Sequence, residues 1–306
     1  MADFSKGGWS LVESDAAIYT DLLKNLGVFG VKVEELQSLD ESCFSNLHPV
    51  YGIVFLYKWR PGESTCGVVE KSVDGMFFAQ QVISNACTTQ ALINLILNIT
   101  DENVNVGKVL EDFKNQTMLF DPASRGLCLG NNEAIREVHN SYARQYFEGE
   151  ITIHPDKEEA FQYVTFVPFK GRIYELDGLH EAPIDHGDYD IVKGWLPNVI
   201  DCLRKRIKTY IDGEINFLLL AVCADKLQKM EKDLEILKSA PIEEETNRQI
   251  MELEGEIQIE LEKKEIIRKD NMRRRYNYIP FLTELMKVLA KEKKITPLIE
   301  QEIRKL

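Results

Sequence analysis

Residues 76–98 read MFFAQQVISNACTTQALINLILN, a run long and apolar enough to predict a helical stretch. Within it Asn85 is a favourable N-cap, so Cys87 is expected in the first turn of a helix that continues through Asn98. A helix N-terminus favours a thiolate over a thiol. Gln81, a little upstream, can present its side-chain amide beside the backbone N–H of Cys87. Two such donors form an oxyanion hole for an acyl intermediate. Spacing alone also allows a plain core thiol, the commoner fate of a cysteine in an apolar helix.

Working outward, Ser14 or Asp15 can cap a helix beginning at AAIYTDLLKNLG, with Ile18, Leu22 and Leu23 on one face and Gly27 as its stop. Val50–Trp59 (VYGIVFLYKW) is rich in β-branched and aromatic residues and predicts a buried strand ended by Pro61-Gly62. Helical patterns recur around 107–119 and 131–145. Residues 146–160 (YFEGEITIHPDKEEA) have no clean period and predict a surface loop. Phe161–Val167 and Arg172–Leu176 then flank Lys170-Gly171, which predicts a hairpin whose facing residues have numbers summing to 341. Gln162 and Asp177 sum to 339, one diagonal step apart on the same face and within side-chain reach. A helix is expected over about 191–209 and a strand over 214–223. Helices and strands alternate without a regular βαβ repeat, so the fold class is α/β of the α+β kind.

The 306 residues carry 37 basic and 50 acidic side chains, a net charge of −13. Residues 1–225 hold 19 basic and 33 acidic groups, whereas residues 226–306 hold 18 and 17. The charged fraction rises from 52 of 225 to 35 of 81, which places a domain boundary between 1–225 and 226–306. An acidic balance argues against a membrane or a specific nucleic acid as partner. The six cysteines form no CxxC pair and fit neither a disulfide framework nor a zinc site, so no metal or cofactor is expected. Reduced thiols and an N-terminus without a signal pattern predict a cytoplasmic and nuclear protein.

After Asp225, Leu227, Met230, Leu234 and Leu237 recur at helical spacing, Pro241 breaks the run, and Ile250, Leu253, Ile257 and Leu261 restart it. An antiparallel helical hairpin is expected, followed by a last helix over Pro280–Ala290. The basic cluster Arg273–Arg275 is read either as a contact for an acidic partner or nucleic acid, or as a solvated helix face.

Five stretches together resemble the ubiquitin C-terminal hydrolase family, the papain-like cysteine deubiquitinases. They are WSLVESD at Trp9–Asp15, YGIVFLYKW at Tyr51–Trp59, FFAQQVISNACTTQA at Phe77–Ala91, VHNSYARQ at Val138–Gln145 and YELDGL at Tyr174–Leu179. The extension, with RRRYNYIPFLTELMK at Arg273–Lys287, resembles the long, proteasome-associated branch of that family. The resemblance implies a central antiparallel sheet flanked by helices, followed by a helical hairpin extension. It implies Cys87 as nucleophile, Gln81 in the oxyanion hole and Asp177 as the carboxylate that orients a catalytic histidine. The implied partners are ubiquitin and, through residues 226–306, a proteasomal ubiquitin receptor and in animals a chromatin-remodelling subunit. A crossover loop over 146–160 would limit which adducts pass. Gln37 stands where the family often has a tryptophan, in a stretch implied to contact ubiquitin.

One position departs from the pattern. The family's catalytic histidine follows a Phe in a stretch resembling EEAFQYVTFVP, and here that position is Gln162. Glutamine can keep the hydrogen bond to Asp177 but cannot exchange a proton near neutral pH. Of the five histidines, His48 is expected in a loop and His139 as a packing residue. His154 lies in the irregular segment eight residues before Gln162, and His180 and His186 follow the hairpin. Two functions are therefore expected as alternatives. One is a thiol deubiquitinase of strongly impaired turnover, the other an inactive ubiquitin- and proteasome-binding scaffold.

Overall fold

A computed structural model of the chain describes residues 8–45, 47, 49–59, 67–143, 161–208, 217–239, 244–297 and 299. The expected loop at 146–160, His48, His154, Pro61-Gly62 and Pro241 lie outside the described residues.

The chain begins with α1 (Ala16–Asn25), capped by Asp15, whose carboxylate accepts from the amides of Ala17 and Ile18. Gly27, at φ +91°, turns the chain out of it. Then come β1 (Val31–Glu35), the short α2 (Glu41–Phe44), β2 (Val50–Lys58) and the two-residue β3 (Val68–Val69). The helices α3 (Cys87–Ile96), α4 (Lys108–Thr117), α5 (Pro122–Gly130) and α6 (Glu133–Asn140) follow. After them come β4 (Phe161–Phe169), β5 (Arg172–Asp177), β6 (Ile184–Asp188), α7 (Leu196–Lys208) and β7 (Phe217–Ala224). The extension holds α8 (Lys226–Ser239), α9 (Glu244–Arg275) and α10 (Ile279–Lys291).

The strands form one seven-stranded antiparallel sheet in the order β1-β7-β2-β4-β5-β6-β3. The β4–β5 hairpin has the expected register: Val164 faces Asp177 and Phe169 faces Arg172. Its tip places Lys170 at φ 47° and Gly171 at φ 81°, the left-handed pair that matches strand twist. Alternating residues of β2 and β7 sort into two cores. Val54, Leu56, Leu220 and Val222 pack with α1 and α3, and Ile53, Phe55, Leu219 and Ala221 pack with α7.

Two expectations require correction. The helix does not span 76–98: residues 76–83 are extended, and a single 3-10 turn at Ser84–Ala86 leads into α3. The reason is a ladder of amides along α3. Asn98 accepts from the Phe77 amide at 2.8 Å and donates to its carbonyl at 2.7 Å. Asn94 does the same for Ala79, at 2.8 and 3.0 Å, and Gln90 adds a bond of 2.7 Å to the Ala79 carbonyl. Spaced four apart, these side chains line one helix face and satisfy an extended strand-like backbone.

The extension also differs in detail. α8 and α9 pack against each other as a hairpin, but α9 is a single 32-residue helix whose far end returns to the core. Asn271 is 3% exposed and donates to the Ala17 carbonyl at 3.1 Å. Arg274 pairs with Asp15 at 2.8 Å, while Arg275 donates to the Ser141 carbonyl at 3.1 Å and stacks over the Tyr142 ring. Arg273 pairs with Asp270 one turn back. The Arg273–Arg275 cluster is thus engaged within the chain, two of its three guanidiniums against the core.

Candidate active site

Cys87 is the first residue of α3, with Ala86 at the N-cap and no side-chain cap. Asn85 is therefore not the cap. It sits inside the 3-10 turn, and its amide donates to the Trp9 carbonyl at 2.9 Å, fastening the N-terminal segment to the cysteine loop. Trp9 is buried and donates through its indole N–H to the Gly130 carbonyl at 3.0 Å.

The extended segment before Cys87 is held on both sides. The Gln80 amide donates to the Pro122 carbonyl at 2.8 Å and the Gln81 amide to the Gly178 carbonyl at 2.7 Å. A side chain at Gly178 would place its Cβ 2.7 Å from the Cβ of Gln81, so only glycine lets this turn close on the loop. Gln81 is thereby joined through the backbone to the turn that follows Asp177.

Gln162 and Asp177 lie at the open end of the β4–β5 hairpin, each 3% exposed. Gln162 Nε2 donates to Asp177 Oδ1 at 2.8 Å, the diagonal contact expected from the register. The Leu179 amide also donates to Oδ1, at 3.0 Å, and His180 Nδ1 lies 3.0 Å from Oδ2. The His180 contact is not foreseeable from strand periodicity, because a tight turn after β5 brings it back on the carboxylate. The only cue was a histidine three residues after the aspartate.

Burial pushes the Cys87 thiol up, and the bonds from Thr88 and from its own backbone amide do not offset it. Burial thus works against the thiolate that a helix N-terminus favours. Among the described residues no imidazole is hydrogen-bonded to Cys87. His139 is fully buried with both nitrogens taken, Nε2 donating to the Ser10 carbonyl and Nδ1 accepting from Thr89, each at 2.7 Å. Burial lowers its pKa to about 4, so it stays neutral and packs edge-on against Trp9. Tyr163, the neighbour of Gln162, shares its hydroxyl with Ser14 at 2.6 Å and Tyr19 at 2.8 Å, a buried network that periodicity does not reveal.

The structure thus ties the loop before Cys87, through the Gln81 amide, to the turn after Asp177, whose buried carboxylate accepts from the Gln162 carboxamide. Among the described residues no group of three or more His, Cys, Asp or Glu side chains is arranged to hold a metal ion. Nor is any helix long and apolar enough to cross a membrane.

Comparison with known proteins bears on the family and the fold. Residues 9–211 match the model of ubiquitin carboxyl-terminal hydrolase, family 1, and residues 250–295 match a second model of ubiquitin carboxyl-terminal hydrolases. The chain is 42% identical to ubiquitin carboxyl-terminal hydrolase ubh-4 of Caenorhabditis elegans, covering 96% of this chain and 91% of that one. It is 34% identical to ubiquitin carboxyl-terminal hydrolase isozyme L5 of Dictyostelium discoideum, covering 96% and 95%. Among solved structures it resembles Trichinella spiralis UCH37 bound to ubiquitin vinyl methyl ester. There the TM-score is 0.71 and the identity 37%, over 85% of this chain and 99% of that chain. With a papain-like hydrolase fold and this cysteine loop, the chain belongs to family 1 of the ubiquitin carboxyl-terminal hydrolases, the cysteine-type deubiquitinases.

Proposed function

We propose that the protein is a proteasome-associated ubiquitin C-terminal hydrolase whose turnover is strongly impaired by Gln162. In this reading Cys87 attacks the carbonyl of the ubiquitin C-terminal Gly, and the side chain of Gln81 with the Cys87 amide receives the oxyanion. Asp177 would orient a histidine, but its Oδ1 receives the Gln162 carboxamide instead. That 2.8 Å bond carries the proposal, because the amide keeps the geometry of the site while being unable to accept the thiol proton or protonate the leaving amine. A thiol raised by burial, with no imidazole bonded to it among the described residues, supports the same reading. Loss of one member of such a set costs on the order of 10³–10⁶ in rate.

Residues 1–225 are taken as the hydrolase domain and 226–306 as the partner-docking extension, docking a proteasomal ubiquitin receptor. Supporting this, α10 exposes Phe281, Leu282, Leu285, Met286 and Val288, an apolar surface beyond what single scattered residues supply. The solved relative's complex with a ubiquitin derivative supports ubiquitin as ligand, and the acidic 1–225 segment would be steered toward ubiquitin's basic face.

The test pairs ubiquitin binding, by calorimetry, with turnover of a fluorogenic ubiquitin substrate. Binding with turnover at least about 10³ below the Gln162→His variant is expected. Binding with no turnover in either chain would favour the scaffold. Turnover of the native chain equal to the variant would refute the impairment. If a His180→Ala change then abolished that turnover, the proton carrier would be His180.

A further inference from the structure

Away from Cys87, and on the opposite face of the sheet from α3, four side chains converge between β5, β6 and α7. Glu175 is 1% exposed; its Oε2 accepts from His186 Nε2 at 2.8 Å and its Oε1 from Arg206 Nη1 at 2.7 Å. The other nitrogen of that imidazole, Nδ1, lies 3.7 Å from Cys202 Sγ. Cys202 and Arg206 are one helical turn apart on α7, and the guanidinium is seated 5.0 Å from the Tyr57 ring centroid. Nothing in the proposed hydrolysis uses this group.

The imidazole is bonded on both sides, through Nε2 to the Glu175 carboxylate and through Nδ1 to the Cys202 sulfur. Burial alone would pull His186 down, but its bonds with Cys202 and Glu175 prevail and its pKa is raised to about 9. The order cysteine, imidazole, carboxylate is that of a nucleophile, its proton partner and the group that orients the partner.

We propose that Cys202 is a second reactive thiol of this protein, a site of oxidation by hydrogen peroxide in which His186 is the proton partner. The sulfur attacks one peroxide oxygen, an S–O bond forms as the O–O bond breaks, and the thiolate is oxidised to a sulfenic acid while the peroxide is reduced. The departing hydroxide takes the Nδ1 proton of His186 and leaves as water. Cys202 is partly exposed, which lets a small oxidant arrive, whereas Cys223 is fully buried.

The molecule contains its own controls. Cys43 and Cys128 are also partly exposed, and neither is bonded to an imidazole among the described residues. The full native chain would be treated with hydrogen peroxide in the presence of dimedone, and each cysteine peptide quantified by mass spectrometry over time. Cys202 is expected to label at least about ten times faster than Cys43 and Cys128, the advantage of a sulfur bonded to an imidazole that can take its proton. Labelling no faster than those two would overturn the proposal. His186→Gln should bring Cys202 down to their rate, and unchanged labelling in that folded variant would equally overturn it. Should that variant not fold by circular dichroism, the comparison within the native chain decides alone.

Discussion

Replacing Gln162 by histidine should convert this chain into an efficient hydrolase, and the geometry says why. The Nε2 of glutamine stands four bonds from Cα, as does the Nε2 of histidine. An imidazole at 162 can therefore place Nε2–H on Asp177 Oδ1, where the carboxamide now donates at 2.8 Å. Its Nδ1 then remains free to exchange a proton with the thiol. Position 162 is 3% exposed, and the two side chains are similar in volume, so the exchange needs little repacking. A missing triad member is worth roughly 10³–10⁶ in rate, or about 4–8 kcal/mol of transition-state stabilisation. The assay is kcat/KM on a fluorogenic ubiquitin substrate for the native chain, Gln162→His, Asp177→Asn and the double variant. Gln162→His should gain at least about 10³, and Asp177→Asn should erase most of that gain while changing the native chain little. A gain below tenfold in a folded Gln162→His protein, or a gain that survives loss of Asp177, would refute the reasoning.

Other changes probe the scaffold. Asn94→Leu leaves the Ala79 amide without its partner and should cost about 1–3 kcal/mol in urea unfolding, with a further loss of rate because Gln81 lies two residues on. His139 is held neutral with a pKa of about 4 against about 6.5 unfolded. The unfolded state therefore binds the proton first, and stability is present above pH 6.5 and lost as pH falls toward 4, by up to about 3 kcal/mol. Urea midpoints across that range should slope in the native chain and less so in His139→Gln. Asp15→Ala removes both the α1 cap and the partner of Arg274, and should cost about 1–2 kcal/mol. Arg274→Ala breaks only a half-exposed pair and should cost less than about 1 kcal/mol. Both should speed hydrogen exchange at the C-terminal end of α9.

The hairpin was legible because its turn pair forces one register, and that register places Gln162 beside Asp177. The strand over Val50–Lys58 and the cap at Asp15 were legible for equally local reasons. The cysteine loop was misread as helix, since apolar periodicity cannot tell a helix from an extended segment that a neighbouring helix satisfies through Gln90, Asn94 and Asn98. The state of the Cys87 thiol depends on burial by distant elements, which no local pattern carries. Whether Arg273–Arg275 meet a partner or solvent could not be read for the same reason: Arg274 and Arg275 bond Asp15 and Ser141, more than a hundred residues away in the chain. His180 and the Glu175–His186–Cys202 line likewise arise only when β5, β6 and α7 are brought together.

If Cys87 keeps its place but lacks a proton partner, the deficit should depend on the leaving group. An amine must be protonated to leave, whereas a thiolate need not be. The most direct measurement is kcat/KM of the native chain relative to Gln162→His on two substrates, a ubiquitin–lysine isopeptide and a ubiquitin thioester. The native chain should fall at least about 10³ behind on the isopeptide and at least tenfold less far behind on the thioester. Equal cleavage of the isopeptide by the two proteins would contradict it.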